Sequence, residues 1–244
     1  MNIRRILKGA GIRSSYGTMG AAGVVLVEDS KKILVDVGHF GIRDPLLREL
    51  GRAGVSSNEI DTVVLTHLNW DHCFNVDLFP NAQIIVGMDE MEKGTLSGIP
   101  DGITPSFKSY LSTLDIKTVR DGFMITPNVS IVYTPGHTPG HIAVSARDNK
   151  SHVMMTGDAI PNLRAYRRGM PDFAFYNESI ARESVNKIKS LKPDLIIPGH
   201  DAPFTEQGYT ELDSVDIIFR EEQEVNTVLS FGKVTSDKPV IFNA

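Results

Sequence analysis

The sequence predicts an α/β protein in which two β-sheets pack together and helices cover them from outside. Two observations carry that expectation. Short apolar, β-branched runs come first in each half of the chain, and a helical stretch follows them. Several of those runs also end in a histidine or aspartate with glycine close by, a pattern that lets the backbone turn sharply at a strand end. At 244 residues the chain is long enough to bury a sizeable core.

Taken in order, AAGVVLVE (21–28) and KILVDV (32–37) read as a hairpin turned at DSK. DPLLRELGRAG (44–54) sets Leu46, Leu47 and Leu50 at helical spacing and closes on glycine, a short helix with a C-cap. IDTVVLT (60–66), AQIIVG (82–87) and VSIVYTP (129–135) read as strands, followed by HIAVSAR (141–147) and HVMMTGD (152–158) turned at DNK. ESIARESVNKIKSL (178–191) is amphipathic, with Ile180, Val185, Ile188 and Leu191 on one face. DLIIPGH (194–200) reads as a last strand, and 211–230 as a C-terminal helix. Residues 90–125, with Gly94, Gly98, Pro100, Gly102 and Pro105, form the least regular stretch, an excursion over the sheet edge.

Bulk composition narrows the function classes. Hydrophobic content of 41% and charged content of 23% are those of an ordinary globule. A net charge of −5 argues against a dedicated nucleic-acid or anionic-membrane surface. Arg4, Arg5, Lys8 and Arg13 crowd the N-terminus without an uninterrupted apolar run behind them, so no secretory signal is read there. No stretch approaches the roughly 20 apolar residues of a membrane span. The lone Cys73 excludes an intramolecular disulfide. A cytoplasmic protein acting on a small molecule, with no nucleic-acid or membrane partner, is the expectation; a homodimer is compatible with it.

The chemistry-bearing residues stand at strand ends: Asp36, His67 to His72 in LTHLNWDH, His137, Asp158 and His200. Singly, each has an ordinary reading, as a satisfied core histidine or as an aspartate in a turn or helix cap. Together, four of the seven histidines fall at these positions. Imidazoles and carboxylates in such a set suit zinc or a similar divalent ion.

The order His67-Leu68-Asn69-Trp70-Asp71-His72, then His137, Asp158 and His200, resembles the metallo-β-lactamase superfamily, whose motif is His-x-His-x-Asp-His followed by a distant His, Asp and His. The gaps of 65, 21 and 42 residues are similar to those of its small-molecule branch of quorum-quenching lactonases and glyoxalase II-like thioesterases. VVLTHLNWDHCFN, TPGHTPGH, TGD and PGHD match as well, over roughly residues 20–205. The resemblance implies an αββα sandwich of two mixed sheets, a single domain over 1–244, and hydrolysis of a small ester, lactone or thioester by a metal-bound hydroxide. It implies one metal at His67, Asn69 and His137, a second at Asp71, His72 and His200, with Asp158 bridging. Asp71 would carry a proton to the leaving group, and Asp36 would orient a ligand histidine, its alternative being a sheet-edge turn residue. Zinc is the expected ion, with iron and manganese as alternatives.

Asn69 departs from the pattern, because an amide oxygen is a neutral, weaker donor than imidazole. Three readings stay open: a two-metal site with one weakened position, a one-metal enzyme using Asp71, His72 and His200, and an inert site. A flavodiiron-like redox protein and a non-catalytic relative are the competing functions; the first also replaces the ligand at this position but carries an appended flavodoxin-like domain. Cys73 reads as a small buried hydrophobe, Trp70 as a packing residue and His141 as a strand start. His39 could lie near the site. Tyr166 could donate to a substrate oxyanion, and Arg164, Arg167 and Arg168 could meet an anion or simply be solvated.

Overall fold

In the computed structural model, residues 1–14, 17–18, 20–93, 102–211, 215–220 and 225–231 are described. Strand β1 (Asn2–Leu7) is followed by a small antiparallel pair, β2 (Arg13–Ser14) and β3 (Gly17–Thr18). Strands β4 (Val24–Glu28), β5 (Lys32–Val35), β6 (Thr62–Val64), β7 (Gln83–Gly87) and β8 (Ile116–Val119) complete a first sheet in the order β1-β4-β5-β6-β7-β8. Its first two pairings are antiparallel and the remaining three parallel. The second sheet runs from β9 (Met124–Thr126) through β10 (Val129–Tyr133), β11 (Ile142–Arg147), β12 (His152–Gly157), β13 (Leu195–Pro198) and β14 (Phe204–Thr205) to β15 (Gly208–Tyr209). Only its β12–β13 pair is parallel.

Alternation along the strands sorts the apolar side chains into three layers. In β4, Val24 and Leu26 face outward onto helices, while Val25 and Val27 face the other sheet. The outer layer of the first sheet takes in Leu46 and Leu50 of α1 (Arg43–Arg52) and, further along the chain, Leu111 of a helix over Pro105–Leu111. Between these helices lie α2 (Trp70–Cys73) and α3 (Met88–Lys93), which makes the Pro105–Leu111 helix α4. The second sheet is covered by α5 (Leu163–Arg168) and α6 (Glu178–Ser190) through Leu163, Val185 and Ile188. Val35, Val64 and Ile85 meet Ile131, Ile142, Val144 and Met155 in the layer between the sheets. Burying such a side chain contributes roughly 1.5–3 kcal/mol, so this middle layer holds the two sheets face to face. The architecture is the αββα sandwich that the sequence led us to expect.

Two local expectations are corrected, for 211–230 and 90–125, and the N-terminus takes a place that the sequence had left unassigned. Residues 211–230 do not form a helix: β16 (Val215–Arg220) and β17 (Val225–Phe231) pair as an antiparallel two-stranded sheet. VDIIFR and VNTVLSF are rich in β-branched and aromatic residues, and that preference overrides the helical look of the acidic residues between them. The basic N-terminus is the edge strand β1, with Arg4 donating to Glu28 and to the Ala53 carbonyl. Residues 90–125 hold more regular structure than expected, since α4 and β8 lie wholly within them; 94–101 fall outside the described residues. Thr104 caps α4 through the Phe107 N–H, and Pro105 opens it.

Candidate metal centre

The parallel pairs β5–β6 and β12–β13 end at the same seam between the two sheets. Asp36 follows β5, and Thr66 to His72 follow β6. Asp158 follows β12 and His200 follows β13, while His137 lies on the β10–β11 connection. Backbone hydrogen bonds from Ile142 to the Thr66 carbonyl and from Gly23 to the Gly199 carbonyl stitch the sheets together there. Close packing at the seam demands glycine at 157. Its φ is +47°, and a Cβ would lie 2.7 Å from Thr66 Oγ1 and 3.0 Å from His141 Nε2. Gly157→Ala is therefore expected to cost about 1–3 kcal/mol through strain and displacement of Thr66. A thermal melt checks this, at roughly 2–4 °C per kcal/mol for a chain of this size.

Thr66 and Asp36 fix the orientation of two histidines. Asp36, held at φ 57°, accepts from the Thr66 N–H at 2.8 Å, from Thr66 Oγ1 at 2.9 Å and from His72 Nδ1 at 2.8 Å. Thr66 Oγ1, having donated to Asp36, accepts from His67 Nδ1 at 3.1 Å. His137 Nδ1 donates to the Phe173 carbonyl at 2.8 Å, and His200 Nδ1 to the Ala21 carbonyl at 3.2 Å. Every one of these four imidazoles thus spends its Nδ1 proton on a fixed acceptor. Its Nε2 is left pointing into the seam, the orientation a metal ligand requires.

The inward atoms form two groups whose ligand atoms lie within 4.8 Å of one another: His67, His137 and Asp158, and Asp71, His72 and His200. Asp158 faces both. Its Oδ1 lies 3.2 Å from His200 Nε2 and 3.5 Å from His72 Nε2, and its Oδ2 lies 3.5 Å from His137 Nε2. Asp71 Oδ2 stands 3.4 Å from His200 Nε2 and 3.8 Å from His72 Nε2. His67 Nε2 and Asp158 Oδ1 are buried without a hydrogen bond among the described residues, and unpartnered buried polar atoms are costly. His72 and His200 confront each other Nε2 to Nε2 at 3.3 Å.

Electrostatics point the same way. Burial disfavours charge on His72, yet Asp71, Asp36 and Asp158 push its imidazole up to about 10. Burial likewise opposes charge on His200, but Asp158 and Asp71 raise it. Burial would raise the Asp158 carboxyl, but His200 and His72 hold it well below the usual carboxylate range. Burial, reinforced by His72 and His137, holds His67 well below the usual imidazole range, and burial lowers His137 against the pull of Asp158. The seam therefore gathers carboxylate charge and imidazole nitrogens, a donor set that a divalent cation of intermediate softness fits.

Asn69 lies with them, 3% exposed, at the N-cap of α2 but without a side-chain capping bond. Its Nδ2 is 3.2 Å from His137 Nε2. Because His137 has already given its Nδ1 proton to Phe173, Nε2 is the acceptor and the Asn69 amide donates to it.

Other residues singled out in the sequence find their places. Cys73 is buried in the outer core of the first sheet. Trp70 packs edge-on against His39, with ring centroids 5.0 Å apart, and the Asp71 charge reaches His39. His141 is fully buried with Nδ1 on Thr134, and its Nε2 accepts the Asp158 and Ala159 N–H groups at 3.1 and 3.2 Å, so it positions Asp158. Tyr166 packs on Phe204 under the Lys189 ammonium, outside both donor groups. Arg164 and Arg168 pair with Asp172, at the start of the segment whose Phe173 carbonyl holds His137.

One residue went unnoticed in the sequence. Glu90 of α3 is fully buried and accepts from the Leu68 N–H at 2.9 Å, Thr138 Oγ1 at 2.8 Å and the Gly140 N–H at 2.9 Å. It ties the His67–His72 loop to the His137 loop. Its local sequence, MDEMEK, carries no signal for this, since all three partners are distant in the chain.

A four-layer sandwich with histidines and aspartates converging on one seam defines a class of metal-dependent hydrolases. The family model described as "Metallo-beta-lactamase superfamily" matches residues 17–200. The chain belongs to the metallo-β-lactamase superfamily and is a metallo-hydrolase of that family. It is 29% identical over 169 residues to a probable metallo-hydrolase of Methanocaldococcus jannaschii, covering 69% of this chain and 70% of that one. An N-acyl homoserine lactonase of a Bacillus species is 28% identical over 165 residues, covering 65% of this chain and 62% of the relative. In structure it is similar to a putative metallo-β-lactamase of Thermotoga maritima, with a TM-score of 0.68, 24% identity, and coverage of 84% of this chain and 98% of that one.

Proposed function

We propose that the protein hydrolyses a small-molecule ester, lactone or thioester carrying an apolar group. The carrying observation is the pair of three-residue donor groups that meet at Asp158. His67, His137 and Asp158, and Asp71, His72 and His200 with Asp158, would hold divalent ions, zinc by the chemistry of these donors, which when bound would supply an activated water and polarise the scissile carbonyl. The similarity to an N-acyl homoserine lactonase supports the lactone arm of the reading.

The chain's own residues do the rest. Asp36 and Thr66 hold His72 and His67 in the tautomers that aim Nε2 inward. Asp71, whose Oδ2 faces His200 and His72, carries a proton to the leaving oxygen or sulfur. Aromatic rings flank the centre: Trp70 at the start of α2 against His39 from the connection after β5, and the stacked pair Phe173 and Phe175, with Phe175 5.1 Å from the His137 ring. Phe173 is 41% exposed, which suits an apolar substituent that would otherwise stay in water.

Metal analysis of the purified protein, combined with turnover of a panel of lactones, thioesters and esters, tests this. Bound divalent metal and chelator-sensitive turnover of at least one class is expected. A metal-loaded protein that turns over none of them ends the proposal. Bound iron with oxygen or nitric oxide turnover would replace it with a redox function. Within the proposal, Asp71→Asn is expected to lower kcat by roughly 10²–10⁴-fold, the usual contribution of a positioned proton carrier. The loss should shrink for substrates with better leaving groups, which a leaving-group series of aryl esters would reveal.

A further inference from the structure

We propose that the two donor groups are unequal metal positions, one resident and one exchangeable, and that the Asn69 amide makes them unequal by latching His137. The inference rests on reading the centre as a metal site and concerns what this chain's own residues do to it. His137 Nε2 is the lone pair that the His67, His137 and Asp158 group must offer an ion. The Asn69 Nδ2 donates into that lone pair at 3.2 Å, because the Phe173 carbonyl has already fixed the His137 proton on Nδ1. An ion can enter only when this hydrogen bond breaks.

The latch is held from behind. The Asn69 carbonyl accepts from the His72 N–H, the neighbouring Leu68 N–H is bound to Glu90, and Asn69 bridges to Gly102. The Asn69 backbone is therefore held in place, and only its side-chain torsions can carry the amide off His137. Charge acts in the same direction. His72 and His200 face Asp158 Oδ1 and have the Asp71 carboxylate beside them, whereas the His67 and His137 group has no carboxylate but Asp158, which meets His137 through Oδ2. The Nε2 atoms of His72 and His200 face each other at 3.3 Å with Asp71 and Asp158 beside them, so that position gathers imidazole and carboxylate donors for a cation. An ion there also neutralises the carboxylate on which a second ion depends.

Cobalt(II) titration of the chelator-stripped protein tests this by visible absorption and by metal content after equilibrium dialysis, without reference to turnover. The wild type is expected to bind one equivalent tightly and a second at least about 100-fold more weakly. His67→Ala should remove the second step and leave the first. Asn69→Ala gives the discriminating sign: opening the latch should tighten the second step several-fold, whereas loss of an amide ligand would weaken it. Asn69→His should bring the two steps together. Two indistinguishable equivalents in the wild type, or a weaker second step in a folded Asn69→Ala, overturns the latch while leaving the metal reading intact. No cobalt bound by any form would overturn the metal reading and the latch with it. Far-UV circular dichroism confirms that the variants compared are folded; should Asn69→Ala fail to fold, Asn69→Ser carries the same expected sign.

Discussion

Asp158→Asn is expected to lower kcat/KM by on the order of 10³-fold or more, the equivalent of several kcal/mol of lost electrostatic stabilisation. Bound divalent metal should fall with it. Asn keeps the volume of the side chain but removes the charge that both donor groups use, through Oδ1 for His72 and His200 and Oδ2 for His137. The backbone should stay in place, because the Asp158 and Ala159 N–H groups still have His141 Nε2 as acceptor. Metal content and kinetics must therefore change while the circular dichroism spectrum stays constant. Full activity in Asp158→Asn would remove Asp158 from the centre and with it the proposed sharing.

Glu90→Ala is expected to destabilise the protein by about 2–4 kcal/mol. Truncation strands the Leu68 and Gly140 N–H groups and the Thr138 hydroxyl, and each unsatisfied buried group costs roughly 1–3 kcal/mol. Burial raises the Glu90 carboxyl above its usual range, and relief of that strain on the charged form offsets part of the loss. Glu90→Gln should fall between the two, since its amide nitrogen would oppose an N–H or hydroxyl donor. Metal content should fall in parallel, because Glu90 joins the loops that carry His67, Asn69, Asp71, His72 and His137. Unchanged melting in Glu90→Ala would mean that water replaces the carboxylate at no cost.

Strand ends were the legible part of this sequence. Continuous apolar, β-branched runs placed β4, β5, β10, β11 and β12 within a few residues of their observed bounds, because strands buried on both faces read as nearly unbroken apolar segments. The strand-end histidines and aspartates were legible for a related reason, as polar residues next to buried apolar runs. Glu90, Thr66 and the Phe173 carbonyl were not, because their roles come from hydrogen bonds across 22 to 50 residues of chain or from backbone atoms that have no letter in the sequence. The hairpin β16–β17 was missed because acidic residues at 221, 222 and 224 give a stretch of alternating apolar residues the look of an amphipathic helix.

His67, Asp71 and His72 come from the first sheet, and His137, Asp158 and His200 from the second. Each donor group draws from both, so a bound ion acts as a clasp across the seam. Its affinity is then also cohesion between the sheets, because any opening that separates them must release it. Chelation should loosen the protein as a whole and should do so first where Ile142 meets Thr66 and Gly23 meets Gly199. Amide hydrogen exchange at those two N–H groups would register the clasp opening before the global unfolding of either sheet.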